Sequence, residues 1–370
     1  MLSAWAEVDL AAIAHNAHTL KAMLRPPTQL MAVVKANGYG HGALAVARTA
    51  LQHGAARLGV ARVSEGSELR AAGIAAPILV LGPIAPVEAA EAVRATLSVA
   101  LTSLHVARAL SQQSGAQGVV TPVHLKLDTG MSRFGVPLDE ASTTARALLA
   151  MPGLRLEGVF THFASADERD QAFTREQVRR FERALAALHA AGIKAPLRHA
   201  ANSAGAMAGL DYHFDMVRAG LALYGIAPAG WLPGAAELRP ALSLKSRVAY
   251  VRSLPPGVSI GYGGAHTTDR ATRAALVSIG YADGVRRALS NRGQVLIRGQ
   301  RARILGRVSM DQIVVDGDAC GAHEGDEVVV LGRQGEAAIG ADEVAGWSGT
   351  IAYEILTGIG ARVPRLYLNG

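Results

Sequence analysis

The 370-residue sequence predicts an α/β fold: a TIM-like (β/α)8 barrel over residues 1–235, followed by a mainly β domain over residues 236–370. Three observations carry this prediction. Eight short apolar segments rich in β-branched residues alternate with stretches of helical spacing in the first part. Helical spacing ends around LPGAAELRP, and from Ala241 strand-like runs punctuated by turns take over. Polar side chains able to do chemistry gather at the C-terminal ends of the apolar segments, the edge on which such barrels build active sites.

An opening stretch, AWAEVDL, alternates like a strand and leaves open whether it joins the barrel or the β domain; a helical pattern follows as far as Leu24. Barrel strands are expected at residues 31–36, 58–61, 78–81, 97–101, 119–127, 156–163, 197–201 and 216–224. Helices are expected among them at 42–52, 63–72 and 138–149, with the longest at 170–191. In the second domain LSLKSRVAYVRSL, RAALVSIGYADG, QVLIRG, RARILGRVSMDQIVVDGD and DEVVVLG read as strands and turns, with short helices at 341–347 and around 350–356. No internal repeat or low-complexity segment interrupts the pattern.

Composition narrows the function classes. The single cysteine, Cys320, excludes an intramolecular disulfide and a cysteine-based zinc site. The N-terminal MLSAWAEVDL has neither the basic region nor the long apolar core of a signal peptide, and no apolar run is long enough to cross a bilayer. A soluble, cytoplasmic protein is therefore expected. The net charge of +7 comes from scattered arginines without a basic cluster, so nucleic-acid binding is not expected.

Chemistry centres on MAVVKANGYGHG. The apolar run Met31 to Val34 delivers Lys35 to a loop bearing glycines at 38, 40 and 42. Partial desolvation there disfavours the charged amine and frees it as a nucleophile able to form a Schiff base. Only five lysines exist, and Lys21, Lys194 and Lys245 read as solvated surface charges, which leaves Lys35 and Lys126. Taken alone, a strand-end lysine reaching to solvent is the simpler reading of Lys35, and only its surroundings argue otherwise.

Those surroundings resemble the alanine racemases, pyridoxal-phosphate enzymes made of a (β/α)8 barrel and a C-terminal β domain. The resemblance covers nearly the whole chain and rests on AVVKANGYGHG, HLKLDTGMSRFG, GVFTHFASAD, ANSAG, VRAGLALYG, SIGYGG, IGYADGVRR, GRVSMDQ and TIAYEILTGIG, in that order. It implies interconversion of L- and D-alanine on pyridoxal 5'-phosphate by two bases, either supplying D-alanine for peptidoglycan or serving alanine catabolism. It also implies a homodimer sharing its active sites across the interface; neither a nucleic-acid nor a membrane partner is expected from the composition.

Carried onto the matching positions, the resemblance makes Lys35 the cofactor-holding lysine and one base, and Tyr262 the second base, reaching in from the partner subunit. A phenol titrates near ~10, so Tyr262 needs help, which the family places at His162 and Arg218. Arg218 would face the pyridine nitrogen. Tyr39, Ser203, the backbone of Gly220 and Leu221, and Tyr353 would hold the phosphate. Arg133 would meet the substrate carboxylate, oriented by Lys126 if that lysine is carbamylated. The Met310 amide would receive the same carboxylate, with Tyr281 at the pocket mouth. Ser309 stands where many members have a cysteine, which removes thiol-directed inhibition from the expectation.

Each position also has a plainer reading: Tyr39 packing over the barrel rim, Tyr262 as a turn aromatic, Arg218 in a buried pair with a carboxylate, Lys126 as a salt-bridging lysine, Ser203 as a helix N-cap. Other functions on the same plan are a broad-specificity amino-acid or serine racemase, a non-catalytic pyridoxal-phosphate carrier and a decarboxylase. A carrier would not need the residues after Ala241. The decarboxylases use a C-terminal cysteine as proton donor, where this chain offers only Cys320 in DGDACGAHEGD.

Overall fold

The computed structural model describes residues 2–370, which form two compact units. One comprises Ala12–Gly38 and Ala43–Arg239; the other comprises the N-terminal residues through Ala11, Tyr39–Gly42 and Pro240–Gly370. The opening strand β1 (Ala4–Asp9) falls in the second unit.

Eight parallel strands build the first unit: β2 (Gln29–Val33), β3 (Ala55–Val60), β4 (Ile78–Val80), β5 (Ser98–Leu101), β6 (Thr121–Lys126), β7 (Leu154–Phe160), β8 (Leu197–His199) and β9 (Met216–Ala219). They pair in the order β8-β7-β6-β5-β4-β3-β2-β9. The remaining seam is drawn together by the Asp215 N–H bonding the Arg198 carbonyl at 2.9 Å and the Arg218 N–H bonding the Ala201 carbonyl at 3.0 Å. A nearly closed barrel results. Its strands are buried on both faces, which is why they read as continuous apolar runs. Helices cover the outside; the longest, Ala172–Ala190, buries Val178, Phe181, Ala184 and Leu188 at helical spacing.

Three strand expectations need correction. The first strand stops at Val33, and Ala36, Asn37, Gly38 and Tyr39 take left-handed φ of 52°, 52°, 60° and 51°. Lys35 therefore opens a left-handed turn instead of ending a strand. The eighth strand ends at Ala219, and Leu221–Tyr224 winds into a fully buried 3-10 turn. A short apolar run buried on all sides carries no periodicity that separates the two conformations. His162 likewise lies just past the end of β7 and not within it.

In the second unit the long strand β10 (Leu242–Leu254) is the hub. The hairpin β11 (Ser259–Ile260) with β12 (His266–Thr267) follows, then β13 (Thr272–Val277), β14 (Gln294–Ile297), β15 (Gln300–Arg303), β16 (Ile313–Asp316), β17 (Glu327–Gln334), β18 (Ala337–Ile339) and β19 (Arg365–Leu368). β10 pairs antiparallel with β1, β13 and β17, so the opening strand is an integral part of this sheet. β19 adds in parallel on the outer side of β1. Lys245 on β10 is not a solvated charge: its side chain is 13% exposed and lies 2.9 Å from Glu7 and 3.3 Å from Glu327. The alternation of β10 conceals this, because a strand position facing outward in one sheet is covered when neighbours on both sides supply carboxylates.

Trp5 anchors β1: it is buried opposite Lys245, bonds Glu7 through its indole N–H at 2.9 Å, and sits beneath the Arg247 guanidinium at 5.2 Å. Trp5→Ala is expected to destabilise the protein by about 3–5 kcal/mol, the usual cost of emptying a buried aromatic site. Urea unfolding checks this; an unchanged midpoint would mean that β1 is dispensable to the sheet.

Candidate active site

The turn after β2 is held by side chains on either side of it. Glu65 accepts the Ala36 N–H at 2.7 Å through one carboxylate oxygen and the Ala61 and Arg62 N–H groups at 2.7 and 3.1 Å through the other. The Asn37 side chain accepts the Ala43 N–H at 3.0 Å. Left-handed residues other than glycine cost roughly 1–2 kcal/mol each, so these bonds offset a strained segment whose effect is to place Lys35 at the barrel's end. Lys35 is half-buried. Burial first, then the charge of Arg133, lowers its pKa, with Glu65 acting weakly the other way.

Arg218, on β9, is 3% exposed and touches no carboxylate among the described residues. It donates from Nη1 to His199 Nδ1 at 2.8 Å and from Nη2 to the Thr161 and Ala200 carbonyls at 2.9 and 2.8 Å and to His162 Nδ1 at 3.2 Å. Burial pushes its pKa down to about 9, which leaves it cationic at neutral pH. The expected alternative of an ion-paired structural arginine does not describe it.

Behind Arg218 runs a string of buried groups. His199 Nε2 meets His124 Nδ1 at 2.9 Å, and His124 Nε2 meets Glu157 at 3.1 Å. A guanidinium only donates, so His199 must accept at Nδ1 and carry its proton on Nε2; His124 must then do the same. Both imidazoles are fully buried, and burial lowers both pKa values, keeping the rings neutral. Glu157 closes the string, accepting also from Arg57 at 3.0 Å and Ser98 at 3.1 Å. Gly158 makes room: a Cβ there would lie 2.4 Å from the His124 ring. His124, Glu157, His199 and Arg57 were not singled out in the sequence, although two histidines and a glutamate inside apolar strands are a readable signal of a satisfied polar core.

Lys126 is buried at the end of β6 and donates to the Phe134 carbonyl, with its ammonium 4.1 Å from the Phe134 ring. Burial, aided by Arg133 and Arg218 and opposed by Asp128, brings its pKa down to about 8. It forms no salt bridge among the described residues. His162, pushed well below its ordinary pKa by burial and by Arg218, Arg133, Lys126 and Lys35, is neutral. The barrel's end thus brings Lys35, Lys126, Arg133, His162 and Arg218 together.

The N-cap of the helix Ser203–Ala208 is Asn202, which accepts the Gly205 N–H at 3.0 Å, so Ser203 is not the cap. Instead the Ser203 hydroxyl accepts the Gly220 N–H at 2.8 Å and the Ala222 N–H at 3.3 Å. With its lone pairs occupied, its proton is free to be donated. The Leu221 N–H, opening the 3-10 turn, has no acceptor among the described residues. A hydroxyl and an amide offered together suit a phosphate. Arg218 Nε, likewise without an acceptor among the described residues, suits a ring nitrogen. A depressed amine completes the donor set that pyridoxal 5'-phosphate requires, and the barrel residues fit that group.

In the second unit, Tyr39 is buried with its ring 6.1 Å from that of Tyr353, and burial raises its pKa. Tyr262 sits in a 3-10 turn between β11 and β12, is 71% exposed and borders a cleft of about 300 Å³ with Arg307, Ser309, Gln312 and Val314. Tyr281 and Met310 are also exposed, and their turns are joined by the Tyr281 N–H bonding the Ser309 carbonyl at 3.0 Å.

Comparison with known proteins gives a consistent result. The alanine racemase N-terminal domain family matches residues 8–228, and the alanine racemase C-terminal domain family matches residues 241–367. An alanine racemase of Symbiobacterium thermophilum is 49% identical over 368 residues, covering 99% of this chain and 97% of its own. The crystal structure of alanine racemase from Bacillus anthracis with bound L-Ala-P superposes with a TM-score of 0.94 at 38% identity, covering 100% of this chain and 96% of that one. That of Bartonella henselae, with covalently bound pyridoxal phosphate, gives 0.89 at 30% identity and covers 100% of both chains.

The buried string makes a pH prediction. Burial acts to raise the Glu157 pKa, but the His124 hydrogen bond and the Arg57 charge outweigh it and hold the carboxyl well below the usual range. A carboxyl depressed in the fold contributes stability that is complete above its unfolded pKa and is lost as pH falls below it. Glu157→Gln should therefore flatten the loss of stability below about pH 5. Urea midpoints of both proteins at pH 7 and pH 4 check this; parallel losses would contradict it.

Proposed function

The chain belongs to the alanine racemase family, and from that premise we propose that it interconverts L- and D-alanine with pyridoxal 5'-phosphate, as a homodimer whose subunits complete each other's active sites. The observation that carries this reading is the barrel's end, where the half-buried, pKa-lowered amine of Lys35 shares its surroundings with Arg218, a cation held by neutral acceptors.

When bound, the cofactor supplies an electron sink that acidifies the substrate's α-proton. Lys35 would hold it through Nζ and, once released, take or return a proton at that atom. Arg218 Nε would donate to the ring nitrogen, and being a donor only, it would keep that nitrogen unprotonated. Ser203 and the Leu221 amide, with Tyr39 and Tyr353, would hold the phosphate. Arg133 and the Met310 amide would receive the substrate carboxylate, with Tyr281 bordering the pocket. Lys126, with its pKa near 8, has the partly neutral amine that carbamylation requires.

Racemisation needs a proton group on each face of the substrate's α-carbon. We assign the second face to the Tyr262 hydroxyl, supplied by the partner subunit; its 71% exposure on the single chain supports that assignment. His162, held neutral beside Arg218, would order that hydroxyl. No helix among the described residues is long and apolar enough to cross a membrane. We place the enzyme in the cytoplasm, supplying D-alanine for peptidoglycan or serving alanine catabolism.

Lys35→Ala is expected to abolish the visible absorbance that pyridoxal phosphate gives on binding, together with all racemisation. Tyr262→Phe should keep that absorbance and slow turnover by at least about 100-fold, the worth of a positioned acid–base group, with the larger loss starting from L-alanine. Spectra and chiral chromatography check both. A Tyr262→Phe protein that racemises both enantiomers normally would end the assignment.

A further inference from the structure

We propose that Arg362 is a positioning residue that clamps the Met310 turn to the Tyr281 turn and thereby sets the affinity for the substrate carboxylate, an inference that rests on the racemase reading. The two turns meet backbone to backbone. The Tyr281 N–H bonds the Ser309 carbonyl at 3.0 Å and the Ala282 N–H bonds the Met310 carbonyl at 3.0 Å. A Cβ on Gly280 would lie 2.3 Å from the Met310 oxygen, so the approach is as close as glycine permits. Both carbonyls flanking the Met310 peptide are thus engaged, while the Met310 N–H has no acceptor among the described residues.

Arg362 spans the far ends of both turns. Its Nε donates to Asp283 at 2.7 Å, and its Nη2 donates to Asp283 at 3.0 Å and to Asp311 at 2.7 Å. Asp283 belongs to the Tyr281 turn, is 8% exposed, and also accepts the Gly280 N–H at 2.9 Å. Asp311 follows Met310 directly and is 59% exposed. The loop carrying Arg362 is itself docked there: the Gly360 N–H bonds the Asp283 carbonyl at 3.2 Å, and a Cβ on Gly360 would lie 2.4 Å from the Ala282 oxygen.

A role confined to neutralising buried Asp283 would be complete with the two bonds to that carboxylate. The third bond, to an exposed aspartate beside Met310, serves only to tie the second turn. Bridging two carboxylates this way takes the planar guanidinium fork; an ammonium keeps the charge but lacks the span. Loosening the clamp frees the Met310 amide to turn away while leaving Lys35 and Tyr262 untouched, so binding should weaken more than chemistry.

The test compares wild type with Arg362→Lys and Asp311→Asn by steady-state kinetics on both enantiomers, by inhibition with propionate, and by thermal melting. Propionate carries the carboxylate but has no amine to react. Expected are a KM for alanine and a Ki for propionate raised together by about tenfold, the scale of one charge-assisted hydrogen bond, with kcat within about twofold and the melting temperature little changed. Asp311→Asn leaves the Asp283 pair in place and decides the matter if Arg362→Lys does not fold. Variants that racemise with wild-type KM and propionate Ki overturn the inference alone; a wild-type protein that racemises no alanine overturns the functional reading and this inference with it.

Discussion

A cation without a carboxylate, enclosed by a barrel, is the constraint to which the rest of the first unit answers. Arg218 is tolerated there because its donors are met by two carbonyls and two imidazole nitrogens. Its presence forces His199 and then His124 into single tautomers, and the string ends only where Glu157, in the middle of β7, can accept. Neutral histidines are what make this tolerable, since a second buried cation beside Arg218 would be repelled. The same charge reaches outward, adding to burial in lowering the pKa of His162 and Lys126. An electrostatic field suited to a weakly basic ring nitrogen is therefore built into the strands themselves, before any ligand arrives.

Much of this was legible beforehand. Eight apolar segments alternating with helices gave the barrel, because parallel strands buried on both faces are written as short continuous runs. Lys35, Lys126, His162 and Ser203 stood out because polar residues at the ends of such runs are rare without a reason, whereas Arg218 was marked only by the resemblance of its VRAGLALYG motif. Illegible were the features that depend on φ and on partners distant in sequence. The left-handed turn at Ala36–Tyr39 contains three non-glycine residues, for which sequence periodicity has no signature. The pairing of β1 with β10 joins residues about 240 apart, and alternation alone does not name a strand's neighbour. Lys245 looked solvated for the same reason: Glu7, which covers it, arrives from the other end of the chain.

The second unit shows how exposure and order can coexist. Tyr262, Tyr281 and Met310 are all exposed, yet each sits on a turn whose backbone is tightly specified by glycines and by neighbouring carbonyls. Exposed aromatic and thioether side chains on rigid turns are poor packing elements but good instruments for a partner or a substrate. On the proposed racemase reading, the barrel would supply a fixed field and a nucleophilic amine, and the β unit a phenol and an amide. Neither set alone would then offer proton groups for both faces of an α-carbon.

That division of labour is tested most directly by incubating L-alanine and D-alanine separately with the purified protein and pyridoxal phosphate in deuterated water. Chiral chromatography with mass detection then follows each enantiomer and its α-hydrogen. The account predicts conversion in both directions, with deuterium at the α-carbon of the product in each case. A protein that binds the cofactor, turns yellow and exchanges no α-hydrogen from either enantiomer would contradict it.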